Sequence, residues 1–140
     1  MTSILNGGNM GFIDSYKRLD NLCKDRFKSE TGVTMYINNM ECLTHVRFQI
    51  DRWDSDYKQL KHYRHIRNQI VHDNNVTEGN SCSEQDIQWV EHFHQRILQR
   101  TDPISLYHKN LVASQQKTAQ RKKNSKSLWA KISSLFRGNK

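Results

Sequence analysis

The sequence is short of the residues that punctuate β structure. Among 140 residues there is one proline, Pro103, and only six glycines. Many short strands with tight turns need more of both, so the scarcity points to helices. Cysteine is scarce too. Cys23, Cys42 and Cys82 are odd in number, far apart and form no CxxC pair. That argues against a disulfide scaffold or a zinc ribbon and suits a reducing cytoplasm. No run approaches the ~18 apolar residues of a membrane span. The stretch MTSILNGGNMGFIDSYKRLD lacks a basic segment followed by an apolar one, so no secretory signal is expected. Apolar residues make up 35% of the chain, below the usual ~45–50%, so a modest core is expected, with part of the chain outside it.

Acidic residues are missing altogether after Asp102, and this divides the chain. The formal charge is +8, from 22 Lys+Arg and 14 Asp+Glu. Nine of the basic residues lie between Lys109 and Lys140, which leaves 13 basic and 14 acidic groups in residues 1–108. The protein therefore reads as a near-neutral body with a cationic tail.

What is present is helical periodicity. Residues 1–10 read as a flexible start, and 11–113 as one all-α domain. Phe12, Ile13, Tyr16, Leu19, Leu22, Cys23 and Phe27 recur in steps of three and four, predicting a first helix that SETG with Gly32 ends. Thr34 is the expected cap of a second helix running through Val46. A third spans about Asp54 to His72, with Tyr57, Leu60, Tyr63, Ile66 and Ile70 as its apolar set. DNNVTEGNS is a loop. Ser83 and Asp86 form a capping-box pattern opening a fourth helix that carries Ile87, Trp89, Val90, Phe93, Ile97 and Leu98. Asp102-Pro103 starts a short fifth helix. Residues 114–127, SQQKTAQRKKNSKS, hold one small apolar residue and read as a basic polar linker. Residues 128–140 read as a short amphipathic basic helix.

The informative segment is Tyr63-Arg-His-Ile-Arg-Asn-Gln-Ile-Val-His72. At about 100° per residue, Tyr63, Ile66 and Ile70 share the core face. Arg64, Asn68, Lys61, His72 and His65 form one polar stripe beside it, with Arg67 on the border. One helix edge thus presents a fixed cation, an amide and an imidazole. Cleavage of RNA by its own 2′-hydroxyl needs such groups: the substrate supplies the nucleophile, so no metal is required. A histidine near its ordinary pKa of ~6.5 moves protons, and an arginine binds phosphate oxygens bidentately and stabilises the phosphorane. DNA, lacking the 2′-hydroxyl, would not be cut this way. The bland reading of the same residues has Arg67 cap a core edge or pair with Asp73, and makes His72 a cation at a helix C-terminus.

Arg67-Asn68-x-x-x-His72 resembles the signature of HEPN domains: an arginine, a polar residue, a short spacer and a histidine. The long first helix, the motif near the end of the third and an aspartate straight after the histidine resemble that family as well. The resemblance covers residues 10–112 and leaves out the tail. It implies a small HEPN-like bundle of four to five helices in which the motifs of two protomers meet as one metal-independent ribonuclease site. It makes Arg67 the phosphate-binding and transition-state residue, Asn68 the organiser and His72 the acid/base. No cofactor is implied. The implied partners are RNA, a second copy of the chain and an antitoxin or regulatory protein, in a prokaryotic toxin or defence setting. The resemblance also leaves open an inactive RNA- or nucleotide-binding or dimerisation module.

Lys61, Arg64 and His65 are expected to widen the cationic strip and hold the RNA backbone. His62 and His65 lie three apart but have no third ligand nearby, so no metal site is predicted. In the tail, Arg121, Lys122 and Lys123 are expected to bind RNA through counterion release. The terminal apolar residues could instead dock on a partner. Contact with a membrane ranks lower, since the apolar stretch covers only about nine residues.

Overall fold

The computed structural model describes the backbone of residues 11–137 and the side chains of 11–126 and 128–131. The flexible start expected at 1–10 and the last three residues of the expected terminal helix lie outside the described residues. The described chain is all-α: α1 (Phe12–Phe27), α2 (Val33–Cys42), α3 (Trp53–His72), the single turn α4 (Glu78–Ser81), α5 (Glu84–Gln99) and α6 (Pro103–Arg137), with a 3-10 turn at Thr44–Val46. No strand occurs among the described residues. Two compact units are distinct, Met1–Leu106 and Tyr107–Lys140.

The first unit is a small helical bundle. Phe12, Tyr16, Leu19 and Cys23 of α1 are buried at helical spacing, and α1 packs on α5 and α2, while α2 packs on α3. Val90, Phe93 and Ile97 of α5, and Tyr36, Ile37 and Met40 of α2, fill the core from the other sides. Trp53, Leu60, Tyr63 and Ile66 are the buried set of α3. The core Tyr36 ring meets Phe93 edge-on at 5.3 Å. Its hydroxyl donates to the buried Asp102 carboxylate and accepts the Ile104 N–H at 3.1 Å. Asp102 also accepts the Ser105 N–H at 3.2 Å, so this residue caps the start of α6.

One buried ion pair joins α3 to α5. Arg96 Nη1 and Nη2 donate to the two oxygens of Asp56 at 3.0 and 2.8 Å. The fork is bidentate, the geometry in which arginine and carboxylate fit best. Asp56 is 2% exposed and Arg96 7%, so neither charge has water as a substitute partner.

Helix ends depart from the expected boundaries for identifiable reasons. The first helix stops at Phe27, where Lys28 takes a left-handed conformation at φ 51°, ahead of Gly32. Gly32 instead opens α2. A Cβ there would stand 1.9 Å from the Asp20 carbonyl oxygen of α1, so only glycine permits the approach. The Asp20 carboxylate then accepts the Val33 N–H at 2.8 Å and does the capping expected of Thr34. The second helix ends at Cys42, before the 3-10 turn that buries Val46. Ser83 and Asp86 do form the expected capping box, with both reciprocal bonds present.

The largest departure is at the C-terminus. In place of a short fifth helix, a linker and a terminal helix, α6 runs uninterrupted from Pro103 to Arg137. After Pro103 the stretch has neither proline nor glycine until Gly138, and Gln, Lys, Arg, Ala and Leu are strong helix formers. The linker reading followed from missing apolar residues, which governs burial and leaves propensity untouched.

Removing one member of the buried pair strands the other charge. Asp56→Ala is expected to lower unfolding free energy by about 3–5 kcal/mol in urea titration. A loss below about 1 kcal/mol would show the pair to be solvated. Gly32→Ala should destabilise as well, by forcing α1 away from the start of α2.

Candidate functional site

Arg67 lies on the α1-facing edge of α3, half-buried. Two adjoining hollows of about 160 and 280 Å³ share Tyr16, Asp20, Lys24 and Arg67. Arg64, Asn68 and Thr34 extend the smaller one, and Ile13, Lys17 and Val71 the larger. Together they form a groove between α1 and the second half of α3. Four cations, Lys17, Lys24, Arg64 and Arg67, line it against two carboxylates, Asp20 and Glu30.

Each cation is differently held. Arg67 Nη1 donates to Asn68 Oδ1 at 3.1 Å, and its guanidinium stands over the Tyr16 ring, 5.9 Å from the centroid. No carboxylate among the described residues is within ion-pair distance of Arg67. Asp73, the partner offered by the bland reading, accepts the Asn75 N–H at 2.9 Å instead. Arg64 Nη1 donates to Thr34 Oγ1 at 3.3 Å. Lys24 pairs with Asp20 at 3.5 Å, one turn back on α1. The Tyr16 hydroxyl is held far above its ordinary pKa, by burial first and Asp20 second, while Arg67 and Arg64 pull the other way. It is therefore a neutral floor to the groove.

His72 is not in this groove. It is the last residue of α3, exposed, and its side chain makes no hydrogen bond among the described residues. A five-residue offset puts it about 140° round the helix and about 7.5 Å along it from Arg67. Within one chain the structure thus brings together Arg67, Asn68 and Arg64, and leaves His72 apart. Lys61 and His65 are exposed on α3 away from the groove, Lys61 over the Tyr57 ring at 5.0 Å. Arg121, Lys122 and Lys123 are exposed on α6 in the other unit. No group of three or more His, Cys, Asp or Glu among the described residues could hold a metal ion. His62 lies against the Tyr63 ring at 5.1 Å.

The groove residues on α1 had no signal in the sequence. The sequence attached no role to Lys17 and Lys24 and placed Tyr16 in the apolar set of the first helix, and only the folded chain puts them beside Arg67. Thr34 had been assigned to a cap; freed by Asp20, its hydroxyl steadies Arg64.

The chain belongs to a family of unknown function, DUF6548, whose model matches residues 10–135. The match runs through both units, so the extension is part of what defines the family. No curated protein and no solved structure matches the chain. No helix of the described residues is long and apolar enough to cross a membrane.

The face of α3 that bears Arg67 is fixed from its core side. Tyr63 packs on Phe12 at 5.8 Å and Trp89 at 5.3 Å, and its hydroxyl donates to Asp86 Oδ1 at 2.8 Å. Burial raises the Asp86 pKa, but the Ser83 N–H, the Tyr63 hydroxyl, the Ser83 hydroxyl and His62 together hold it below 3.8. A depressed folded value means the stabilisation is complete above the ordinary aspartate range and fades as pH falls through the folded value. Urea midpoints should therefore drop between about pH 5 and pH 2, and Asp86→Asn should flatten that part of the profile. An unchanged slope in Asp86→Asn would assign the acid sensitivity elsewhere.

Proposed function

We propose that the α1–α3 groove binds RNA phosphate through Arg67 and that the protein is a metal-independent endoribonuclease of HEPN type. The observation that carries the reading is Arg67 itself. It is half-buried, unpaired with any described carboxylate and oriented by Asn68, as an arginine kept for an incoming anion would be. Arg64 and Lys24 supply further positive charge along the groove. A reaction that uses both Arg67 and His72 requires His72 from a second copy, because one chain holds them on different sides of α3. Val71, 52% exposed between the groove and His72, gives an apolar contact for that second α3. In this arrangement the 2′-hydroxyl attacks the adjacent phosphorus, His72 relays the proton and Arg67 neutralises the phosphorane. A toxin or defence effector, restrained by a neutralising protein, is the setting that fits such an activity.

The position of His72 favours a second reading, in which the groove binds RNA or a nucleotide without cleaving it. The two are separated by product analysis. Incubated with mixed RNAs in EDTA, the purified protein is expected to leave 2′,3′-cyclic phosphate ends. His72→Ala should slow cleavage by about 10²-fold or more, and Arg67→Lys should not restore what Arg67→Ala removes. Intact RNA with Arg67-dependent binding would establish the silent module, and no binding at all would end both readings.

A further inference from the structure

The cations and apolar residues of α6 are left unused by the groove on α3. Between Tyr107 and Arg137 the chain has no acidic residue. Lys117, Arg121, Lys122, Lys123, Lys126 and Lys131 are all exposed. Leu128 is 58% and Trp129 66% exposed, a large apolar area with no described side chain covering it. Because the helix is continuous, Leu128, Trp129, Ile132, Leu135 and Phe136 fall at i, i+1, i+4, i+7 and i+8, the spacing of one stripe. At about 100° per residue the side opposite the stripe carries Lys123, Lys126 and Arg137 with the small residues Ala130 and Ser134. Lys122, Lys131 and Ser133 flank the stripe, and Lys117 and Arg121 fall on its own side, upstream of it. A linker ahead of a nine-residue apolar patch would be a weak anchor. One helix that joins the patch to the upstream cations is a different object.

We propose that residues 122–137 of α6 form an interfacial helix that binds an anionic phospholipid surface, with the Trp129 stripe toward the acyl chains and Lys122, Lys123 and Lys126 at headgroup level. Charge complementarity selects this occupant. A second copy of the helix would bring two acid-free cationic surfaces together, and the segment from 113 to 127 offers only Ala113 and Ala119 as apolar contacts between them. RNA would satisfy the lysines but leave the stripe in water. An anionic bilayer satisfies both: the stripe enters the boundary of headgroups and chains, and the lysines meet the lipid phosphates. Tryptophan is enriched at that depth because its ring is apolar and its N–H is not. The helix lies on the surface, since none here is apolar enough to span.

The test is sedimentation of the full-length protein with vesicles of phosphatidylcholine alone, or of phosphatidylcholine and phosphatidylglycerol in equal parts. Expected are binding to the mixed vesicles at least ~10-fold tighter than to the neutral ones, and a blue shift of Trp129 emission absent from Trp129→Ser. Lys122→Gln with Lys123→Gln should weaken binding roughly five-fold per charge removed. Leu128→Ser with Trp129→Ser, both at exposed positions, should weaken it at least ~10-fold while leaving the urea midpoint of the body unchanged. Equal binding to both vesicle types, or binding indifferent to Leu128 and Trp129, would overturn the proposal. So would an absence of vesicle binding alongside Lys122- and Lys123-dependent retention of RNA, which would make α6 a nucleic-acid helix.

Discussion

The Asp56–Arg96 fork is the constraint on which the arrangement of the body depends. It ties the first turn of α3 to the last turn of α5, and both charges are out of water. A buried pair of this kind adds little net stability over an apolar substitute, but it tolerates few rotations of either helix. With α3 fixed at its start by Asp56 and further along by Tyr63, the face bearing Arg67 has to meet α1. The groove follows from that orientation. The guanidinium at its edge is then set by a neighbouring amide rather than by an acid.

The junction of α1 with α2 is the second determinant. Gly32 lets the backbone come against the Asp20 carbonyl, and Asp20 then serves three partners: the Val33 amide, the Lys24 ammonium and the electrostatics of Tyr16. A single carboxylate thus organises a helix start and the floor of the groove. It also keeps Lys24 close to Arg67 without neutralising Arg67 directly.

Much of the bundle was legible in the sequence because burial and helical period agree along α1, α3 and α5. Phe12, Tyr16, Leu19 and Cys23 on one stripe, and the Ser83–Asp86 box, appear in the structure as the pattern implies. Two things were not legible. Boundaries set by distant partners, such as the Asp20 cap of α2, have no local signal. The 114–127 segment was misread because hydrophobic pattern reports packing, whereas Gln, Lys and Arg can remain helical without it. At the site, spacing identified Arg67 and Asn68 on α3, yet it could not reveal that α1 contributes Lys17, Lys24 and Tyr16. The separation of Arg67 from His72, by contrast, was legible, since a five-residue offset puts them about 140° apart on one helix.

The long α6 has a thermal consequence. In the body, each helix is held by side chains of its neighbours, so heating should disrupt them together over a narrow range. From Tyr107 onward the described side chains of α6 are almost all exposed, and an exposed helix is held by its own backbone ladder. Such a helix frays from its end over a broad interval, and its helicity falls with every degree of warming. The protein is therefore expected to carry two thermometers in one chain, one abrupt and one gradual. Any surface that α6 binds would sharpen the gradual one.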